Sequence, residues 1–468
     1  MTGDPAALSA TELLALYRRK ALSPVEATQA VLDRIGRFDV AVNAFCLVDP
    51  ERALAAARAS EERWQRGAPC GLVDGVPATI KDLVLSAGWP TLRGSQVVDP
   101  DQPWDEDAPV TARLREHGAV LVGKTTTPEF GWKAVTDCAL TGITRNPWDV
   151  GKTPGGSSGG AAAAAALGMG ALHIGTDGGG SIRIPAGFTG IFGLKPSFGR
   201  VPVWRLSPFG TVAHVGPMTR TVADAALMLN VLSLPDSRDW LALPDDGRDY
   251  RVGLDDGVRG LKIAFSPTLG YVEVDPEIAA SVAASAEMFA ELGAQVEQVD
   301  PGFEDPLEIF QAHWYVGAAN LLRGFSAEQQ ARVDPGLVEI AREGAKVPLL
   351  DYLAAVGRRG ALGQHMRAFH ERFDLLLTPT LPLAAFEAGQ ERPDPRQQPR
   401  WIHWAPFSNP FNLTQQPAAS VPCGLTAAGL PIGLQIVGPM HADALVLRAA
   451  RAFEALRPWP FPEAPRGG

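Results

Sequence analysis

Two glycine-rich runs, Gly155-Gly156-Ser157-Ser158-Gly159-Gly160 and Gly175-Thr176-Asp177-Gly178-Gly179-Gly180-Ser181-Ile182-Arg183, constrain this chain more than any other feature. Glycine costs backbone entropy on folding, so a dense run is retained where the backbone takes φ > 0 or must approach another group closely. A reaction centre is such a place. Successive N–H groups of Gly178, Gly179, Gly180 and Ser181 can converge on one concavity, the arrangement that stabilises an oxyanion during acyl transfer. Ser181, at the end of the run, is then the expected nucleophile.

A serine hydroxyl needs a base, most often histidine. The chain has eight histidines, none in a motif with a serine, and each reads as structural or surface. Lysine is the alternative base. Gly75-Val76-Pro77-Ala78-Thr79-Ile80-Lys81-Asp82 sets Lys81 directly after a short apolar, strand-like run, where desolvation can lower an amine's pKa. The competing reading is a lysine whose stem packs while its ammonium reaches water.

Lys81, Ser157 and Ser181, with the glycines around them, resemble the amidase signature family. The likeness runs nearly throughout Gly155–Arg200: Gly-Gly-Ser-Ser-Gly-Gly, an alanine-rich helix, Gly-Thr-Asp-Gly-Gly-Gly-Ser-Ile-Arg, then Gly193-Leu194-Lys195-Pro196 and Gly199-Arg200. It extends through Glu129-Phe130-Gly131, Gly216-Pro217-Met218-Thr219 and Pro431-Ile432-Gly433-Leu434-Gln435, and so covers most of the chain. The resemblance implies that Ser181 attacks an amide carbonyl, that Ser157, preceded by a cis peptide bond, relays a proton, and that Lys81 is the ultimate base, a lysine variant of the catalytic triad. Lys81 must then rest neutral. The implied activity is hydrolysis of the C–N bond of a linear, small-molecule amide through an acyl-enzyme, releasing a carboxylate and ammonia or an amine. No metal or organic cofactor is expected.

Lesser positions follow. Ser158 either joins the catalytic hydrogen bonds or holds the loop. Asp177 and Arg183 are expected to form an ion pair that fixes the loop rather than to react, and Gln435 to be a buried amide that satisfies backbone groups. The aromatic residues Phe130, Trp132, Trp148, Trp204 and Phe209 would suit an apolar or aryl acyl group, against the plainer reading of core packing. Trp401 and Trp404, beside Gln397–Arg400, read as part of a mobile rim.

Two local patterns suggest other chemistry. Gly118-Ala119-Val120-Leu121-Val122-Gly123-Lys124-Thr125 satisfies the P-loop pattern, but its intervening residues are strand-forming and Thr126-Thr127-Pro128 opens no phosphate-binding helix. Gly156-Ser157-Ser158-Gly159-Gly160 fits a nucleophile elbow centred on Ser158. That fold expects an acid and then a histidine downstream, and the lysine-centred set is better matched. Within the resemblance two alternatives stand: the glutamine-hydrolysing A subunit of a tRNA-dependent amidotransferase, and a catalytically silent binding protein on the same scaffold.

The rest of the chain has an α/β rhythm. Ser9-Ala10-Thr11-Glu12 and Ser23-Pro24-Val25-Glu26 are capping boxes that open helices, the second with proline at the first helical position. Helices are expected over Pro109–Glu116, about Gly160–Leu167, from Asp275-Pro276-Glu277 onward, and over about Asp443–Leu456. Apolar runs at Ala119–Val122, Ala171–Gly175, Leu261–Phe265, Leu375–Leu377, Ala418–Val421 and Ile432–Val437 read as strands. The expected fold class is α/β: a single large domain over residues 1–468 with a mixed, twisted β-sheet core covered by helices on both faces. Within it we expect N-terminal helices over about 6–60, a signature core over about 71–232 and a variable half over about 260–468. Ser233–Gly260, rich in Asp, Gly, Pro and Arg, reads as a surface excursion.

Charge and cysteine content bear on partners. The formal charge of −10 argues against a nucleic-acid-binding face, whose footprint is basic. Cys46, Cys70, Cys138 and Cys423 form no CxxC pair, so neither a zinc site nor a disulfide framework is expected. No stretch approaches the roughly 20 apolar residues of a membrane span, and Met1-Thr2-Gly3-Asp4-Pro5 carries no leader signature, so a cytoplasmic location is expected. A homodimer is the base-rate expectation.

Overall fold

Ser9 and Ser23 cap the first two helices, Ala10–Arg18 and Pro24–Val42, and each forms a full capping box with the glutamate three residues on. The computed structural model describes residues 4–467; Met1–Gly3 of the opening stretch lie outside the described residues. After these helices the chain enters a sheet through β1 (Phe45–Val48), β2 (Pro77–Lys81) and β3 (Val120–Thr125). A small hairpin of β4 (Asp137–Cys138) and β5 (Gly142–Ile143) stands apart. Then come β6 (Leu172–Asp177), β7 (Phe192–Lys195), β8 (His214–Thr219), β9 (Lys262–Phe265), β10 (Gln295–Gln298), β11 (Leu375–Pro379), β12 (Ala418–Leu425) and β13 (Pro431–Val437).

Eleven of these strands form one mixed sheet in the order β1-β3-β2-β6-β8-β7-β12-β13-β11-β9-β10. Parallel pairs (β2 with β3 and β6, β9 with β10 and β11) flank an antiparallel centre. Side chains alternate between faces along a strand, and the cores follow that rule. Leu375 and Leu377 join one apolar cluster with helices Val222–Leu232, Pro276–Glu291 and Asp443–Leu456, whereas Leu376 faces another. On the second face lie Gly159–Ala166 and Arg183–Thr189. Helices therefore cover both faces of one continuous sheet, as the α/β rhythm predicts.

The alanine-rich helix explains itself by space. All of Gly159–Ala166 is buried, and a Cβ on Gly160 would stand 2.5 Å from both the Ala44 carbonyl oxygen and the Thr126 nitrogen. Only the smallest residues let this helix approach the chain at Ala44 and Thr126, and alanine also has the highest helix propensity. The P-loop look-alike resolves differently: Lys124 lies within β3, buried, and pairs with Asp82 at 2.8 Å. Ser233–Gly260 has no regular helix or strand. It is anchored to the main core by Tyr250, Leu254 and Val258, all buried. Among the described residues no helix is long and apolar enough to cross a membrane.

Candidate active site

Strand β2 delivers Lys81 at its C-terminal end, and the neighbouring β6 delivers Thr176 and Asp177 at its own. The loop before the alanine helix brings Ser157 and Ser158 to the same point. Lys81 Nζ, fully buried, lies within hydrogen-bond distance of the hydroxyl oxygens of Ser157 (2.7 Å), Ser158 (2.8 Å) and Thr176 (2.9 Å). No carboxylate among the described residues pairs with it. Burial holds its pKa well below the usual lysine value, against a weaker opposing pull from Asp177. Desolvation without a counter-ion favours the neutral amine.

The Gly156–Ser157 peptide is cis. A Cβ on Gly156 would collide with the backbone of Val135 at 2.5–2.8 Å, so glycine there is a matter of space. Ser158 Oγ donates to the Thr176 carbonyl (3.2 Å) and accepts from the Thr176 N–H (3.2 Å), tying the loop to β6. The Ser181 carbonyl accepts the Ser158 N–H at 3.2 Å. Ser157 and Ser181 both line a cavity of about 440 Å³, while Ser158 does not. The Ser181 hydroxyl makes no hydrogen bond with another described residue.

Asp177 and Arg183 are both fully buried and meet through two contacts, Nη2 to Oδ1 and Nε to Oδ2, each 2.9 Å. Burial raises the Asp177 pKa, but Arg183 and the hydrogen bonds around it more than offset this and hold the carboxylate far below its usual range. Arg183 reaches on to Gln435 Oε1 (2.8 Å) and Asn412 Oδ1 (2.6 Å). Gln435 Nε2 in turn donates to the Thr378 hydroxyl and the Phe407 carbonyl, both at 3.0 Å. So Gln435 serves a side-chain ion pair as well as the backbone. Asp177 Oδ1 also takes the N–H of Gly180 at 2.7 Å. That N–H is therefore committed to the carboxylate, and those of Gly178, Gly179 and Ser181 carry no bond within the described residues.

Space dictates the three glycines before Ser181. A Cβ on Gly178 would stand 3.0 Å from Trp314, and one on Gly179 2.7 Å from both Phe310 and Trp401. Gly180 has φ +113° and would meet Ser408 at 2.4 Å. Behind them, Lys195 Nζ donates to the carbonyls of Gln416 and Pro196 and contacts His214 Nε2 at 3.3 Å. His214 Nδ1 faces the carbonyls of Val212 (2.8 Å) and Asp177 (3.2 Å) and must donate to them. Burial, and then Lys195, depress the His214 pKa well below normal, so the ring is neutral. His214 lines the cavity without bonding Ser181. No group of three or more His, Cys, Asp or Glu among the described residues could hold a metal ion.

The model of the family described as Amidase matches residues 26–447. The chain belongs to the amidase signature family. An acylamidase of Rhodococcus erythropolis is 39% identical, with 97% of this chain and 96% of that protein aligned. The A subunit of a glutamyl-tRNA(Gln) amidotransferase from Gloeobacter violaceus is 35% identical, with 94% of each covered. Among solved structures, a bacterial aryl acylamidase of the amidase signature family superposes with a TM-score of 0.90 at 34% identity, covering 97% of this chain and 96% of that one. A 6-aminohexanoate cyclic dimer hydrolase gives 0.88 at 29% identity, covering 99% of both. This amidase is thus a hydrolase of amide C–N bonds.

The cavity of the amidase has an aromatic wall that only partly follows the sequence expectation. Phe130, Trp204 and Phe209 line it. Trp132 does not: it is buried in the second apolar core, where its carbonyl accepts the Trp314 indole N–H at 3.1 Å. Trp148 is likewise buried away from the cavity, its indole donating to Thr189. Trp401 and Trp404 form no rim; both are buried, Trp404 holding the Glu391 carbonyl and Trp401 packing edge-on to Phe310 and Trp314. Large aromatics gain most by leaving water, and composition alone cannot say which cavity they leave it for. Sequence reading missed Trp314, which stacks on Phe209 with centroids 3.7 Å apart. It also missed Thr176, although its place beside Asp177 in the second glycine run was a usable signal.

Proposed function

We propose that this amidase hydrolyses small apolar or aryl carboxylic amides with Ser181 as nucleophile, Ser157 as proton relay and Lys81 as base. The observation that carries this reading is a fully buried, carboxylate-free lysine bonded to three hydroxyls beside a cavity lined by Ser157 and Ser181. A neutral amine donates twice and accepts once. Ser158 has the Thr176 carbonyl as its acceptor, so the Ser157 hydroxyl is suited to donate to the Lys81 lone pair. Ser157 can then take a proton from Ser181 as it attacks, and return it to the leaving nitrogen. The oxyanion would lie against the N–H groups of Gly178, Gly179 and Ser181, while Gly180 N–H keeps Asp177 in place. Water, activated through the same relay, releases the carboxylate.

An aryl or apolar acyl preference is supported by the wall of Phe130, Phe209 and Trp314 and by the likeness to acylamidases. A panel of aliphatic amides, aryl amides, anilides and ureido compounds, run with the unmodified chain and Ser181→Ala, tests it. Turnover of anilides that Ser181→Ala abolishes supports the reading. Ammonia release from glutamine alone, and only with added partner subunits, would move the protein to the amidotransferase class.

A further inference from the structure

Arg93 carries a cation into the cavity without a counter-ion. It lines the cavity that holds Ser157 and Ser181 and also an adjoining one of about 320 Å³. The two cavities share Leu85, Arg93, Phe130, Arg205 and Leu321, so Arg93 stands at their junction. Its guanidinium makes no hydrogen bond and no ion pair with any described residue. Of the charges nearest to it, Asp82 pairs with Lys124 at 2.8 Å, and Arg205, at the same junction, pairs with Glu106 at 3.2 Å; Asp99 and Asp105 line the far cavity without an ion pair to Arg93.

The backbone is shaped to hold this side chain there. Arg93 has φ +58°, a left-handed conformation that is unfavourable for a residue other than glycine. Its carbonyl accepts the Phe130 N–H at 2.7 Å. The next residue, Gly131, is so close to the relay serine that a Cβ there would lie 3.3 Å from Ser157 Oγ. One short backbone link therefore ties the Arg93 main chain to the segment beside Ser157.

We propose that Arg93 is a specificity-determining residue that binds a carboxylate carried by the substrate at the end remote from the scissile amide, so that the preferred substrates are amido acids rather than neutral amides. A guanidinium presents a planar fork of N–H donors that matches a carboxylate in two parallel hydrogen bonds. The apolar walls between Arg93 and Ser181 would hold the connecting aryl or alkyl segment. Burial and then the nearness of Arg205 disfavour the charged guanidinium, against a weaker opposing pull from Asp82, and a bound carboxylate would offset that cost. The inference rests on the acylamidase reading for where the amide sits.

Binding to the Ser181→Ala protein, measured by calorimetry, tests it without turnover. Two acid–ester pairs serve as probes: N-phenylsuccinamate with its methyl ester, and 4-acetamidobenzoate with its methyl ester, which put the carboxylate on the acyl and amine sides. At least one acid is expected to bind ten or more times tighter than its ester. Arg93→Gln should remove that difference while leaving the ester's affinity unchanged, and Arg93→Lys should keep part of it. Equal affinity within both pairs in the Arg93 protein overturns the proposal with no further variant needed, as does an acid preference that survives Arg93→Gln. Turnover of the esters by the unmodified chain is read separately: its absence counts against the acylamidase reading, not against the carboxylate site.

Discussion

Lys81 Nζ stands 2.7 Å from Ser157 Oγ in a site with no carboxylate against either group. Buried lysines are usually paired, and this one is held by hydroxyls alone. With Lys81 as the proposed base, its protonation state sets the expected acid limb of activity. With the pKa lowered by burial, kcat/KM is expected to fall as pH drops through that lowered value, with unit slope, and to be flat above it. Thr176→Val removes one of three acceptors. An ammonium needs three and a neutral amine two, so the variant should shift the limb to lower pH by up to about one unit. A limb that stays in place in Thr176→Val would remove Lys81 as the titrating group.

The same depressed pKa predicts a stability signature. Unfolded lysine binds its proton below about pH 10.4, whereas folded Lys81 does so only below its lowered value. Between those limits the unfolded state holds one more proton, and stability rises with pH. The thermal midpoint of the unmodified chain relative to Lys81→Met should therefore decline as pH falls from 10 towards the folded pKa, and level off below it. A difference that does not change with pH would mean that Lys81 is charged in the fold.

Legibility differed by the range of the interaction. The capping boxes at Ser9 and Ser23, the strands at Leu375 and Ala418 and the alanine helix were readable because each depends on residues a few positions apart. Asp177 and Arg183, six positions apart, were readable as a pair for the same reason. Their remaining partners were not. Asn412 and Gln435 lie 235 and 252 positions away from Asp177 and Arg183 respectively, and no local pattern announces which amide turns towards a distant guanidinium. Gly180 shows the opposite case: its glycine was expected for an oxyanion, and its N–H serves Asp177 instead.

That network predicts large losses when one side is removed. Arg183→Ala leaves a fully buried carboxylate without its cation and should cost about 3–5 kcal/mol, read as a lower urea midpoint at unchanged slope. Asp177→Asn with Arg183→Met removes both charges, and should recover stability relative to Arg183→Ala without restoring activity, because the N–H groups of Gly180 and Ile182, on either side of Ser181, lose the carboxylate that holds them. Full activity in the double variant would show that the ion pair does not position the Ser181 loop for reaction.

The glycines can be separated by the space around them. Gly179→Ala sets a methyl 2.7 Å from Phe310 and Trp401, an overpacking that should cost about 1–3 kcal/mol and displace one of the N–H groups proposed to hold the oxyanion, so kcat should fall more than KM changes. Gly36→Ala is the control: it lies within the helix Pro24–Val42 with nothing within 4 Å of the new Cβ. It should stabilise the fold by about 0.5–1 kcal/mol and leave activity unchanged.

Phe209 and Trp314 stack with centroids 3.7 Å apart and planes 7° from parallel, yet their substitution should not be equivalent. Phe209 comes from a surface-crossing loop and touches the cavity. Trp314 comes from helix Leu307–Leu322, is fixed by its indole bond to the Trp132 carbonyl, and packs against Gly178 at the start of the N–H run. Removing Phe209 deletes wall area that only a large acyl or amine group would use. Phe209→Ala should therefore raise KM for anilides by about two- to tenfold, in line with an aromatic contact of about 0.5–1.5 kcal/mol, and leave acetamide unaffected. Trp314→Ala should lower kcat for acetamide and anilides alike, because Gly178 loses the surface that positions its N–H. Steady-state kinetics on the two substrates separates these outcomes. A Trp314 variant that discriminates between acetamide and anilides as Phe209→Ala does would reduce its role to that of a wall.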